Sequence, residues 1–193
     1  MTNISVFQSV TLDGVMQGPG RTDEDTRGEF NHGGWANGYQ DEVSMQFAGE
    51  GMSSGGSLLF GRRTYEDLLG FWSTTPDPNP FTDVLLNSRK YVVSRSPETV
   101  LAYPNSTLLA GDAAGTVAAL DQEAIGGLTI LGSRQLVQSL HAAGLIDQYI
   151  LLVHPIVLGS GTKLFGDGER INLTLQQSIT TTTGVIIAQY STH

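Results

Sequence analysis

The feature that most constrains the fold is an alternation of pattern in the middle of the chain. Short apolar runs, too short for helices, take turns with segments patterned as helices. The runs are residues 57–60, 91–93, 107–109 and 128–131. The helix segments start at 64–69, then cover 81–88, 113–124 and 135–143, the last ending at Gly144. Parallel strands need a long crossover between them, so this rhythm predicts parallel strands joined by helices. The ends of the chain read differently. Residues 4–10 alternate apolar and polar as a half-buried strand does, and 41–52 read as a helix. Residues 147–157 form a long β-branched run, and 173–176 and 179–190 read as strands around a Thr-Thr-Gly turn, which predicts antiparallel pairing. The expected class is α/β: one mixed, mostly parallel sheet with helices on both faces. The chain of 193 residues fits a single domain over 1–193. Residues 73–80 hold three prolines and read as a loop, because the same rhythm continues on both sides.

Composition removes several classes of function. With 39% hydrophobic and 15% charged residues the chain is no disordered segment. It has no cysteine, which excludes disulfides, thiolate metal sites and a cysteine nucleophile. No apolar run reaches the roughly 18 residues of a membrane span, and the first residues lack the order of a signal peptide, so a cytoplasmic location is expected. Ten basic against 19 acidic residues argue against a nucleic-acid partner. His32, His141, His154 and His193 show no metal-ligand spacing, and His154, before Pro155 in an apolar run, reads as structural.

Lysine occurs only at Lys90 and Lys163; the other eight basic residues are arginines, five of them at 62, 63, 89, 95 and 134. Three strand endings share one design. Residues 57–60 run into Gly61-Arg62-Arg63-Thr64, residues 91–93 into Ser94-Arg95-Ser96, and residues 128–131 into Gly132-Ser133-Arg134-Gln135. Ligands of open α/β sheets bind beyond the carboxyl ends of strands. Glycine lets backbone approach a phosphate, a helix N-terminus favours an anion, and arginine offers a planar donor fork. Three such endings suit an elongated ligand with more than one phosphate, such as a phosphorylated dinucleotide. No G-x-G-x-x-G opens a helix after a strand and no G-x-x-x-x-G-K-[ST] occurs, so the usual nucleotide fingerprints are absent.

The run Phe60-Gly61-Arg62-Arg63-Thr64-Tyr65-Glu66 resembles the Gly-Arg-x-Thr motif of the dihydrofolate reductase superfamily. Leu131-Gly132-Ser133-Arg134-Gln135-Leu136 is similar to its second glycine motif. Ala143-Gly144-Leu145-Ile146-Asp147, then His154-Pro155-Ile156-Val157-Leu158-Gly159-Ser160-Gly161 and Leu164-Phe165, resemble the reductase domain of riboflavin-biosynthesis deaminase–reductases and its stand-alone relatives. The opening Leu12-Asp13-Gly14 matches that group too, so the resemblance covers residues 4–190.

The resemblance implies an eight-stranded, dihydrofolate reductase-like sheet flanked by helices, NADPH as cofactor, a small-molecule substrate and a homodimer. Carried over, Arg62 and Thr64, with Gly61 and Arg63 beside them, meet cofactor phosphates. Ser94, Arg95 and Ser96 lie near the adenosine 2′-phosphate. Gly132, Ser133, Arg134 and Gln135 hold the pyrophosphate, with Ser133 standing where many members have a second glycine. The family's substrate-binding carboxylate precedes the Gly-Arg motif by one helix. Its counterparts are Asp41 and Glu42, which otherwise read as solvent-facing helix charges; the spacing puts Glu42 toward the cleft and Asp41 toward water. Asp13, the other candidate catalytic residue, either shapes the loop beside the substrate or serves as an ordinary turn aspartate. Trp35 and Tyr39 form either an aromatic wall over a flat substrate or core packing, and Gly159-Ser160-Gly161 either a ligand contact or a hairpin. The expected function is NADPH-dependent reduction of a small heteroaromatic or carbonyl compound; the alternative is a non-catalytic NADP(H)-binding protein. The chain has no cysteine–histidine zinc motif, so the deaminase half is not expected.

Overall fold

The computed structural model describes residues 3–53, 56–76, 78, 80–120, 126–166 and 170–192. The elements run β1 (Ile4–Thr11), α1 (Glu42–Ser53), β2 (Ser57–Gly61), α2 (Arg62–Trp72), α3 (Pro80–Asn87), β3 (Lys90–Ser94), β4 (Ser106–Ala110), α4 (Ala113–Ala118), β5 (Leu128–Leu131), α5 (Arg134–Ala142), β6 (Gln148–His154), β7 (Thr174–Thr180) and β8 (Ile186–Ser191). The strands form one eight-stranded sheet in the order β4-β3-β2-β5-β1-β6-β8-β7. The α/β class and the mixed sheet follow the sequence rhythm. Most boundaries shift by one residue, β6 ends at His154 rather than 157, and the last two strands are Thr174–Thr180 and Ile186–Ser191 rather than 173–176 and 179–190. Two further differences bear on the site and on the described range. Helix α2 starts at Arg62 rather than Thr64, which brings both arginines into its first turn. Helix α4 ends at Ala118, short of the expected 124, and residues 121–125 lie outside the described residues.

By its contacts the chain divides into two compact units, Met1–Val6 with Ala48–Asp147, and Phe7–Phe47 with Gln148–His193. The first holds the parallel part. Strand β2 pairs in parallel with β3 on one side and β5 on the other, and β3 pairs in parallel with β4. All of Leu58, Leu59 and Phe60 are buried, as a central strand covered on both faces requires. Helix α2 buries Tyr65 and Leu69, four residues apart and therefore on one face, each contributing about 1.5–3 kcal/mol. The Tyr65 hydroxyl bonds the Ser106 hydroxyl at 3.0 Å and accepts from Tyr103 N at 3.0 Å, so its polar end is satisfied.

Lys90, at the start of β3, is fully buried. Its ammonium donates to the carbonyls of Leu85 (3.0 Å), Leu86 (2.9 Å) and Ser88 (2.7 Å), closing the C-terminal end of α3. The cation meets the negative end of the helix dipole there. Burial nonetheless pulls its pKa down to about 8.

The second unit holds the antiparallel part, β6–β8–β7, with a bulge in β7 between Leu175 and Gln177. Val15, Phe30 and Trp35 form a small core beside Ile156 and Leu158. Residues 11–17 and 156–164 lace together through Leu12 N to Ile156 O, Met16 N to Thr162 O and Leu164 N to Gly14 O. Buried Gln17 adds to this: its Oε1 accepts from Thr162 N at 2.9 Å, and its backbone carbonyl accepts the Trp35 indole N–H at 2.7 Å.

Candidate functional site

Strands β3, β2 and β5 are adjacent and parallel, so the three motif-bearing ends emerge side by side. Register pairs Gly61 with Val93, which puts Ser94 next to the start of α2. With neighbouring strands ~4.8 Å apart, the three ends span about 10 Å. The chain goes from β2 outward to β3 and β4, then returns to the other side of β2 with β5. The order of strands therefore reverses at the β2–β5 boundary, the place where open α/β sheets bind ligands.

At that boundary the Ser133 hydroxyl accepts from Gly61 N at 2.9 Å and donates to Leu131 O at 3.2 Å, tying the two strand ends together. Ser133 adopts the left-handed region (φ 58°, ψ 49°), uncommon for a residue with a side chain. Gly132 before it has φ 60°, and a Cβ there would sit 3.0 Å from Thr64 Cγ2. Glycine is thus required on two grounds, backbone conformation and the close packing of Thr64. The hydroxyl explains how serine fills the place of a second glycine: it turns back to the strand ends.

The starts of α1, α2, α4 and α5 fall into two kinds. Helix α1 has Asp41 as its cap, Oδ1 accepting from Ser44 N at 2.8 Å, and α4 has Asp112, Oδ2 accepting from Gly115 N at 2.9 Å. Helices α2 and α5 have no side-chain cap and no acidic residue in the first turn; they open on Arg62-Arg63 and Arg134 instead. Arginine at the positive end of a helix dipole is electrostatically unfavourable unless an anion joins it. Arg63 and Arg95 are exposed and make no ion pair among the described residues, whereas Arg62 pairs with Glu66. Ser94 is buried, bonded to the Thr99 hydroxyl at 2.7 Å, and its Oγ accepts from Ser96 N at 3.3 Å, so 94–99 form a compact turn that presents Arg95. Gln135 is exposed in the first turn of α5.

Arg89 does not join this group. It precedes β3, at the opposite end of that strand from Arg95, and lines a polar surface depression of about 530 Å³ with Asn87 and Asn105. Its closeness to Arg95 in sequence misleads because an extended strand lies between them.

The candidate catalytic carboxylates belong to the other unit. Asp13 accepts from the Thr11 hydroxyl at 2.6 Å and from the amides of Gly159 (2.8 Å) and Leu158 (3.2 Å). The Thr11 hydroxyl first, and the two amides after it, hold its pKa at about 2. Asp41 is partly exposed, but its carboxylate is held by bonds within the fold rather than left free in water. Besides capping α1, its Oδ2 accepts from Thr182 N at 2.6 Å and Thr182 Oγ1 at 2.7 Å. These bonds to Ser44 and Thr182 hold Asp41 at about 2 as well. Glu42, at the first position of α1, is exposed.

Buried His154 receives Trp35 and Tyr39 edge-on, with ring centroids 5.1 and 5.4 Å away. Its Nδ1 lies 2.9 Å from Leu152 O, and burial lowers its pKa. Trp35 is therefore core, while Tyr39 stays half-buried above it. Gly159 and Gly161 serve the laced loops; a Cβ at Gly161 would lie 2.7 Å from Phe30 and Val15. Sequence reasoning missed Lys90 and the Thr182–Asp41 link, for which the local pattern carries no signal.

The chain is similar to known proteins. The chain is 30% identical over 140 residues to the uncharacterized protein YyaP of Bacillus subtilis (strain 168), covering 69% of this chain and 72% of that one. A candidate riboflavin biosynthesis protein from Shewanella sp. PV-4 has the same fold, with a TM-score of 0.72, 20% identity and coverage of 100% of this chain and 99% of that one. A pyrimidine reductase-like protein from Corynebacterium diphtheriae superposes with a TM-score of 0.68 at 10% identity, covering 100% and 92%. The fold is dihydrofolate reductase-like. The sequence profile of the RibD C-terminal domain matches residues 2–187, and so the chain belongs to that family.

Proposed function

We propose that the protein is an NADPH-dependent reductase that delivers hydride to a small heteroaromatic or carbonyl substrate. One observation carries the reading: at the reversal point of the sheet, two neighbouring helices lack caps and open on arginine, while α1 and α4 are capped by aspartate. Phosphates at these two helix starts would accept from the first-turn amides and meet the arginines there. The residues fit a dinucleotide. Gly132 turns the chain tightly beside Thr64 at the β5 end, bringing its backbone to the place a pyrophosphate would occupy, and Arg62, Arg63 and Arg95 stand on adjoining ends for the further phosphate.

NADPH bound there supplies the hydride and carries the redox chemistry. The protein's part is to bind and orient. Arginines neutralise phosphate charge, Ser133 keeps the β2 and β5 ends in register, and the Ser94 turn fixes Arg95. Family membership and the likeness in fold to a riboflavin biosynthesis protein and a pyrimidine reductase-like protein support a reductase acting on a nitrogen heterocycle.

The second reading, an NADP(H)-binding protein without turnover, draws on the carboxylates. Asp13 and Asp41 are ionised and spend their oxygens on backbone and hydroxyl donors, so neither holds a proton to give at neutral pH. Calorimetric titration with NADPH and NADH tests the cofactor. A charge-assisted phosphate contact contributes roughly 1.5–3 kcal/mol, so NADPH binds about 10- to 150-fold tighter than NADH. Arg62→Ala and Arg95→Ala erode that preference; equal affinities in the wild type overturn it. NADPH oxidation with pterin-like, pyrimidine-like and carbonyl substrates then separates the two readings.

A further inference from the structure

We propose that Glu66 sets the affinity and phosphate selectivity of this site by competing with the cofactor for Arg62. The inference rests on the cofactor reading above and assigns a residue that reading does not use. Arg62 Nη1 bonds both carboxylate oxygens of Glu66, at 2.9 and 3.0 Å. Both side chains are about half exposed, so the pair can open.

The pair stands in the less favourable order for a helix. An acid N-terminal to a base four residues on supports a helix and complements its dipole; here the base comes first and the acid lies one turn inward. Four residues of helix are about 6 Å, so the contact draws the guanidinium along α2, away from the strand ends. Arg63, the neighbouring residue, has no such partner among the described residues. To meet a phosphate beyond β2, Arg62 must leave Glu66, and the carboxylate then stays near the incoming dianion. Releasing an exposed pair costs about 2-fold in binding, and the residual like-charge repulsion adds to it, for a total of ~3- to 10-fold. The penalty falls on NADPH, whose extra phosphate takes Arg62, and spares NADH. Glu66 thereby keeps the site from gripping its dinucleotide too tightly to exchange it.

The test is a set of NADPH and NADH titrations of the wild type, Glu66→Gln, Arg62→Ala and the double variant, with helicity checked by circular dichroism. Glu66→Gln tightens NADPH ~3- to 10-fold and NADH less than 2-fold. In the Arg62→Ala background the gain drops below about 2-fold, because nothing is left to compete for. An unchanged or weakened NADPH affinity in Glu66→Gln overturns the proposal, as does equal tightening of NADH or a gain that survives intact without Arg62. A wild type that binds both dinucleotides equally overturns the cofactor reading itself, and this one with it.

Discussion

Lys90→Met separates the helix-capping role of this lysine from its charge, and the separation appears as a pH dependence. Methionine keeps the length of the buried stem and removes the donors. Three carbonyls lose their partner, and the Leu85 carbonyl is the one fully buried. Leaving it unsatisfied costs about 1–3 kcal/mol. The ammonium was itself costly to bury, as its depressed pKa of about 8 records. The two effects oppose each other at pH 7, the shift from 10.5 to about 8 being worth about 3 kcal/mol, so the variant there lies within about 2 kcal/mol of the wild type. Between pH 8 and about 10.5 the unfolded chain keeps the lysine proton and the native protein releases it, so wild-type stability rises with pH. The shift from 10.5 to about 8 sets the scale: the gap between wild type and variant widens by about 2–3 kcal/mol from pH 7 to pH 10. Urea unfolding of both proteins across that range measures it, the difference cancelling the titration of tyrosines and other common groups. A gap that stays constant refutes the reasoning. A gap that narrows shows that the three carbonyls hold the proton more strongly than burial expels it.

Gly132→Val forces a branched side chain into a left-handed position against Thr64, so it abolishes dinucleotide binding in calorimetry while circular dichroism still reports a folded chain. Ser133→Ala loses both strand-end bonds and keeps the backbone strain, whereas Ser133→Gly relieves that strain. The alanine variant therefore melts lower than the glycine variant, by about 1 kcal/mol in stability. For Asp13, whose pKa is lowered to about 2, the stabilising contribution is full above about pH 4 and lost as pH falls through 2. Asp13→Asn accordingly flattens the acid limb of a stability profile.

The parallel half of the fold was legible because its signals are local. Each short apolar run carries its Gly or Ser and arginine at its own end, and sheet order then brings 61, 94 and 132 together. Lys90 was not legible: a lysine opening a strand beside Arg89 reads as surface charge, and only the return of α3 over it shows that it caps carbonyls. The role of Asp41 was hidden in the same way. A helix-opening aspartate looks solvent-facing until Thr182, 141 residues away, arrives on its second oxygen. The arginine at 89 misled through proximity in sequence, since strand geometry carries consecutive motifs to opposite ends.

The division of the chain into Met1–Val6 with Ala48–Asp147, and Phe7–Phe47 with Gln148–His193, has a consequence for synthesis. The segment 7–47 is made before its partners β6, β7 and β8, with the hundred residues of 48–147 in between. Asp13 waits 146 residues for Gly159 and Asp41 waits 141 for Thr182. At ~5–20 residues per second that wait is about 7–30 s. During it the hundred residues from 48 to 147 emerge as one run and can settle around β2, while Val15, Phe30 and Trp35 have only one another and Ala36 to pack on. Until 156–158 are made, the nascent chain holds those three apolar side chains without Ile156 and Leu158 against them, which makes this loop a point of engagement for a holding chaperone.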